Sequence, residues 1–127
     1  MSEYVDNFST EIPIESLKIL LRLGREFYFD PLSSIESEEY FIKLLKKCEG
    51  DNLESWLRSA VSKNFLFLES RPEWIQGSEW QFSEGKPMMF VGQINLSPQK
   101  TGLHDDAVFY VFWDRESGET KTILQIA

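Results

Sequence analysis

The run Ala107-Val108-Phe109-Tyr110-Val111-Phe112-Trp113 constrains the fold more than any other stretch. Its β-branched and aromatic residues read as a strand. Successive side chains of a strand point to opposite faces, so a strand with one wet face alternates apolar with polar residues. This one does not alternate. It is therefore central and covered on both faces, or its second face is an interface. Helices from the first half of the chain and a long tryptophan-bearing loop offer enough material for both, so coverage on both sides is the expectation.

The neighbouring segments supply its sheet. After the turn Asp114-Arg115-Glu116-Ser117-Gly118-Glu119, Thr120–Ile126 sets Lys121, Ile123 and Gln125 against Thr122, Leu124 and Ile126, as a half-buried strand does. Residues 88–96 and the short apolar run 65–68 also read as strands.

Before residue 64 the period is helical. Leu17, Leu20, Leu21, Phe27 and Tyr28 share one face of a first helix, with Glu15, Lys18, Arg22 and Arg25 opposite. Pro13 suits its first turn, and Asp30-Pro31 ends it. In a second helix Ser37 caps, Phe41, Leu44, Leu45 and Cys48 form the apolar stripe, and Gly50 stops it. Glu36, Glu38 and Glu39 suit its positive start, and Lys43, Lys46 and Lys47 its negative end. Asn52 caps a third, with Leu53, Trp56, Leu57, Ala60 and Val61 on one face. The fold class is α+β: a three-helix segment, residues 1–63, followed by and packed on an antiparallel sheet in residues 64–127, within a single domain 1–127.

Charge narrows the partners. The 127 residues carry 21 acids and 13 bases, a formal net charge of −8 spread evenly between the halves. Nucleic-acid binding needs a basic face, so nucleic acid is not expected as a partner. A basic protein is. One cysteine, Cys48, excludes an internal disulfide, and no apolar run is long enough to span a bilayer, so no membrane partner and a cytoplasmic location are expected.

Catalytic patterns are scarce. His104 is the only histidine; beside Asp105 and Asp106 it forms an imidazole–carboxylate cluster that reads best as a solvated turn. Cys48 on an apolar stripe reads as a buried, inert thiol. Gly92 and Gly102 stand alone, with no phosphate-loop pattern. No enzyme, cofactor or metal is expected.

Binding is the better-supported class. Residues 71–85, RPEWIQGSEWQFSEG, hold Trp74 and Trp80 in a loop-like run with Glu73, Glu79 and Glu84, and Asp105 and Asp106 come later. Aromatic anchors inside a charged rim are the tools of an interface, and these seven residues are the candidate partner-binding set. The alternative for each tryptophan is a lid over one sheet face.

Residues 72–96, PEWIQGSEWQFSEGKPMMFVGQINL, resemble the signature of the uncharacterised bacterial YwqG-like family in Pro72, Trp74, Trp80, Gly85, Pro87, Phe90, Gly92, Gln93 and Ile94. The hairpin VFYVFWDRESGETKTILQ is similar too, so the resemblance runs from about Phe65 onward. It implies structural roles for Pro72, Gly85, Pro87, Gly92 and Gln93, with the Gln93 amide bonding the loop backbone. Family members are longer than this chain, so further residues would complete any site there. In size, charge and lack of catalytic groups the chain also resembles bacterial immunity proteins, which neutralise toxins by direct binding. That implies a basic toxin domain, such as a nuclease, as the partner. The alternative function is a small-molecule or peptide-binding domain, its pocket lined by Trp74, Trp80 and Phe112 with Gln93 at the base.

Overall fold

The computed structural model describes residues 10–97 and 106–127. Helices α1 (Ile14–Phe27), α2 (Ile35–Lys46) and α3 (Leu53–Asn64) come first. Strands β1 (Phe82–Ser83), β2 (Lys86–Pro87), β3 (Met89–Leu96), β4 (Ala107–Trp113) and β5 (Thr120–Ile126) follow. β1 pairs with β2, and β3, β4 and β5 form an antiparallel sheet in that order, with the apolar run in the middle. Helices first and an antiparallel sheet afterwards is the expected α+β arrangement.

The helices keep their apolar stripes, but their ends differ from the reading. In α1, Leu17, Leu20, Leu23 and Phe27 are buried. Tyr28 is 41% exposed because it is the C-cap, in the left-handed region at φ 69°. The amides of Tyr28 and Phe29 both donate to the Gly24 carbonyl, at 2.7 and 3.0 Å. A Cβ on residue 24 would lie 2.3 Å from the Phe29 carbonyl oxygen, so this return needs glycine. The helix thus closes with a cap before Asp30-Pro31 is reached. Pro13 sits at the N-cap itself, one position ahead of the first turn.

In α2 the cap is Ser34, whose hydroxyl oxygen accepts from the Ser37 amide at 3.1 Å. Ser37 lies inside the first turn, buried, its hydroxyl donating to the Asp30 carbonyl. Because α2 ends at Lys46, Cys48 falls past the stripe and is half-buried, not enclosed as expected. Asn52 caps α3 as read, its side-chain oxygen accepting from the Ser55 amide at 3.0 Å. Helices α1 and α3 pack on each other, with Arg22–Glu54 (2.7 Å) and Arg58–Glu26 ion pairs along the seam. Both pairs are exposed, so each adds little.

Aromatic rings join helices to sheet. Phe29, Phe41 and Phe65 stack with centroids 4.6–5.8 Å apart. Phe65 meets Trp80 edge-on at 5.3 Å, and Trp80 meets Phe112 of β4 edge-on at 5.4 Å. Offset and edge-on pairs of this kind add to the burial of large rings.

Two local readings change. Residues 65–68 make a single parallel bridge at Phe67–Phe90, not a strand. Its bonds run from the Phe90 amide to the Leu66 carbonyl and from the Leu68 amide to the Phe90 carbonyl, each 2.9 Å. The β1–β2 hairpin was not anticipated. Glu84 (φ 51°) and Gly85 (φ 78°) form its tip, and two successive positive φ values make the primed turn that suits strand twist.

The sheet overturns the expected coverage. On the inner face, Phe90, Val108, Tyr110, Phe112 and Gln125 are buried. On the outer face, Ile94 is 56% exposed, Leu124 47%, and Trp113 and Ile126 37% each. The helices and the tryptophan loop all lie on the inner side, so the described residues leave the outer face open. In β5 the buried phase is that of Lys121, Ile123 and Gln125, and the phase with Leu124 and Ile126 faces outward.

Candidate functional site

The loop of residues 71–80 crosses the inner face of the sheet, and the sheet presents polar groups to hold it. Gln125 is 2% exposed and uses its whole amide. Its Oε1 accepts from the Ile75 and Gln76 amides at 3.2 and 3.0 Å. Its Nε2 donates to the Gly77 carbonyl and to Glu79 Oε2, both at 2.7 Å. Tyr110 is fully buried; its hydroxyl donates to the Glu73 carbonyl at 2.9 Å and accepts from the Ile75 amide at 3.1 Å. Burial, with smaller help from Glu73 and Glu79, raises the phenol's pKa against the opposing pull of the Ile75 bond, so it keeps the proton it donates. Gln93 bonds the loop as its place on the strand suggested: the Glu73 amide donates to its Oε1 at 2.8 Å.

The two tryptophans differ. Trp80 is 2% exposed and its indole N–H donates to the Met88 carbonyl at 2.9 Å, which makes it a core residue with no surface to give a partner. Trp74 is half-buried. It packs on Tyr110 with centroids 4.5 Å apart and donates from its indole N–H to the Tyr28 carbonyl at 2.8 Å. The left-handed cap of α1 therefore presents the carbonyl that fixes Trp74. At the loop's start the Arg71 guanidinium lies over the rings of Phe27 and Phe67, at 5.4 and 4.7 Å from their centroids. Among the described residues Trp80 and Phe112, 2% and 0% exposed, fill the space between loop and sheet with their own rings.

The candidate acids are separated. Glu73 and Asp106 line one groove of about 440 Å³, with Gln93 and Asn95 beside them and Ile75, Leu96, Ala107 and Val108 beneath. Both carboxylate residues are exposed, and neither joins a salt bridge among the described residues. No basic side chain lines this groove among the described residues. Glu79 is engaged by Gln125, and Glu84 stands away at the hairpin tip. Asp105 and His104 lie outside the described residues.

Two of the structural-motif positions have clear local reasons. Gly85 has the positive φ of the hairpin tip, and Gly92 follows the register shift where β3 passes from Phe90–Phe112 to Gly92–Val111 pairing. Pro72 is buried at the start of the loop and Pro87 pairs with Phe82 in β2.

Gln125 and Tyr110 were missed as loop anchors. The signal was there: a glutamine in phase with Ile123, and a tyrosine amid rings, are polar groups that burial obliges to find partners.

Comparison with family models, with curated proteins and with solved structures finds no match. No described helix is long and apolar enough to cross a membrane. Among the described residues no group of three or more histidine, cysteine, aspartate or glutamate side chains could hold a metal ion.

Proposed function

We propose that this chain is a non-enzymatic binding protein that docks a basic protein partner, most concretely an immunity protein neutralising a bacterial toxin domain in the cytoplasm. The observation that carries the reading is the groove shared by Glu73 and Asp106. Two carboxylates that join no salt bridge among the described residues, over an apolar floor, suit a lysine or arginine stem with its charged head at the rim. The Glu73 backbone is held by Gln93 and Tyr110, so this part of the groove is pre-organised and binding orders little there. The net charge of −8 would steer a basic domain toward the surface. Membership of the YwqG-like family is proposed on the same motif, through Gly85, Gly92 and Gln93.

The test is association with a panel of basic toxin domains, nucleases included, followed by biolayer interferometry at low and high salt. Glu73→Gln with Asp106→Asn is expected to slow association about tenfold at low salt, with a smaller effect at high salt. Association that is indifferent to both substitutions and to salt would overturn the reading.

A further inference from the structure

A second cavity, which shares no residue with the acidic groove, has the opposite electrostatic character. It has a volume of about 360 Å³ and lies between the C-terminal ends of α2 and α3, β2 and the β4–β5 turn. Four of the chain's 13 basic residues line it: Lys47, Lys63, Lys86 and Arg115. Its two acids, Asp114 and Glu116, are already engaged. Glu116 pairs with Lys86 at 2.6 Å. Asp114 accepts from the Ser117 hydroxyl at 2.7 Å and from the Glu116 amide at 3.1 Å, bonds that hold its carboxyl below the usual range. Lys47, Lys63 and Arg115 join no salt bridge among the described residues.

Helix ends explain part of this. A lysine at the end of α2 and another at the end of α3 offset the partial negative charge of two helix C-termini. Arg115 stands at no helix end and comes from the sheet side, so helix dipoles leave it unexplained. Tyr40 adds a donor. Its hydroxyl accepts from Asn64 Nδ2 at 3.1 Å, and burial pushes its pKa up to about 12, so the phenol stays protonated with its own hydrogen to give. Leu44, Leu66, Met89 and Trp113 supply apolar wall.

We propose that this cavity binds a small organic anion, a phosphate ester carrying a ring. Cations that join no salt bridge among the described residues, reaching in from three separate elements, match a doubly charged group with several acceptor oxygens better than a singly charged carboxylate. The ring lies against the apolar wall beside Trp113. The volume is that of a small-ligand site, and the chain's overall negative charge opposes a nucleic-acid polymer there.

The experiment is isothermal titration calorimetry at low salt with two probes, inorganic phosphate and adenosine monophosphate. Adenosine monophosphate is expected to bind saturably, and about tenfold more tightly than phosphate because it adds ring contact. Arg115→Gln and Lys63→Gln should each weaken it about five- to tenfold. Both side chains are exposed, so the variants keep the wild-type melting temperature, which is checked alongside. No saturable binding of either probe up to about 10 mM overturns the proposal. So does binding that neither substitution changes, because the anion then sits elsewhere.

Discussion

The two faces of one three-stranded sheet are used in opposite ways. The rungs Gln93–Tyr110–Ile123 and Asn95–Val108–Gln125 on the inner face mix polar with apolar residues. The rungs Ile94–Phe109–Leu124 and Leu96–Ala107–Ile126 on the outer face are wholly apolar. Yet the mixed face is the buried one. Hydrophobicity alone would place them the other way round. What decides is that a loop rich in backbone donors and acceptors must cross the sheet, and its amides and carbonyls need partners once they leave water. The inner face supplies those partners from side chains and then seals them with rings.

The contrast predicts where substitutions are costly. Trp80 is the largest side chain sealed on the inner side, in contact with Phe65, Phe90 and Phe112. Trp80→Ala is expected to lower stability by about 3–5 kcal/mol, from lost burial and a cavity that three neighbouring rings cannot close. Chemical denaturation measures it. Trp80→Phe keeps most of the volume but orphans the Met88 carbonyl, and should cost about 1–2 kcal/mol. If alanine costs no more than phenylalanine, Trp80 is not sealed in solution.

Next comes Gln125. A leucine here is similar in size and more apolar, so burial alone would favour it. Gln125→Leu nevertheless leaves the Gln76 amide and the Gly77 carbonyl without their partner, and the Ile75 amide with the Tyr110 hydroxyl alone. The expected loss is about 2–4 kcal/mol, with faster proteolytic cleavage within residues 71–80. A neutral or stabilising Gln125→Leu would mean that water reaches these groups and that the two faces are less distinct than the geometry implies.

Much of this fold can be read from the residues, because helices and strands announce themselves through periodicity. The stripe of α1, the Asn52 cap and the β4–β5 hairpin all follow from local pattern. What the pattern cannot carry is partner choice between distant segments. Ser34 caps α2 while Ser37, three residues on and of the same type, turns to the Asp30 carbonyl. The apolar phase of β5 looks like the buried one until the loop's hydrogen bonds are counted against it. The candidate site was legible in the same uneven way. Gln93 and Glu73 meet 20 residues apart, as the motif implied, whereas Gln125 reaches back about 50 residues, and no local spacing encodes that. Trp80 was indistinguishable from Trp74 as an anchor, since both sit in the same punctuated run. Their fates differ only because the Met88 carbonyl lies under one and the α1 cap under the other.

Gln93 sharpens the comparison at a smaller scale. It gives the loop one bond, to the Glu73 amide, and its own amide turns to Asn95 at 2.9 Å in the exposed groove. Gln93→Leu should cost about 1 kcal/mol, clearly less than Gln125→Leu, because the freed Glu73 amide can reach water. A loss equal to that of Gln125→Leu would put the groove inside the protein and remove it as a docking surface.

The smallest effect belongs to the outer face. Ile94 and Leu124 flank Phe109 across all three strands and are 56% and 47% exposed. The double substitution Ile94→Thr with Leu124→Thr places a β-branched residue at each position and removes apolar surface that is largely in water already. Threonine favours strands, so neither backbone preference nor the ladder is disturbed. The expected change in stability is within about 0.5 kcal/mol, against several for single substitutions on the inner face. Denaturation midpoints at two protein concentrations, tenfold apart, make the measurement decisive. A midpoint that is independent of concentration and unmoved by the substitutions leaves the face open, as described. A loss above about 2 kcal/mol at the higher concentration would mean that these residues are buried in solution, and that the asymmetry between the faces ends when the chain meets another surface.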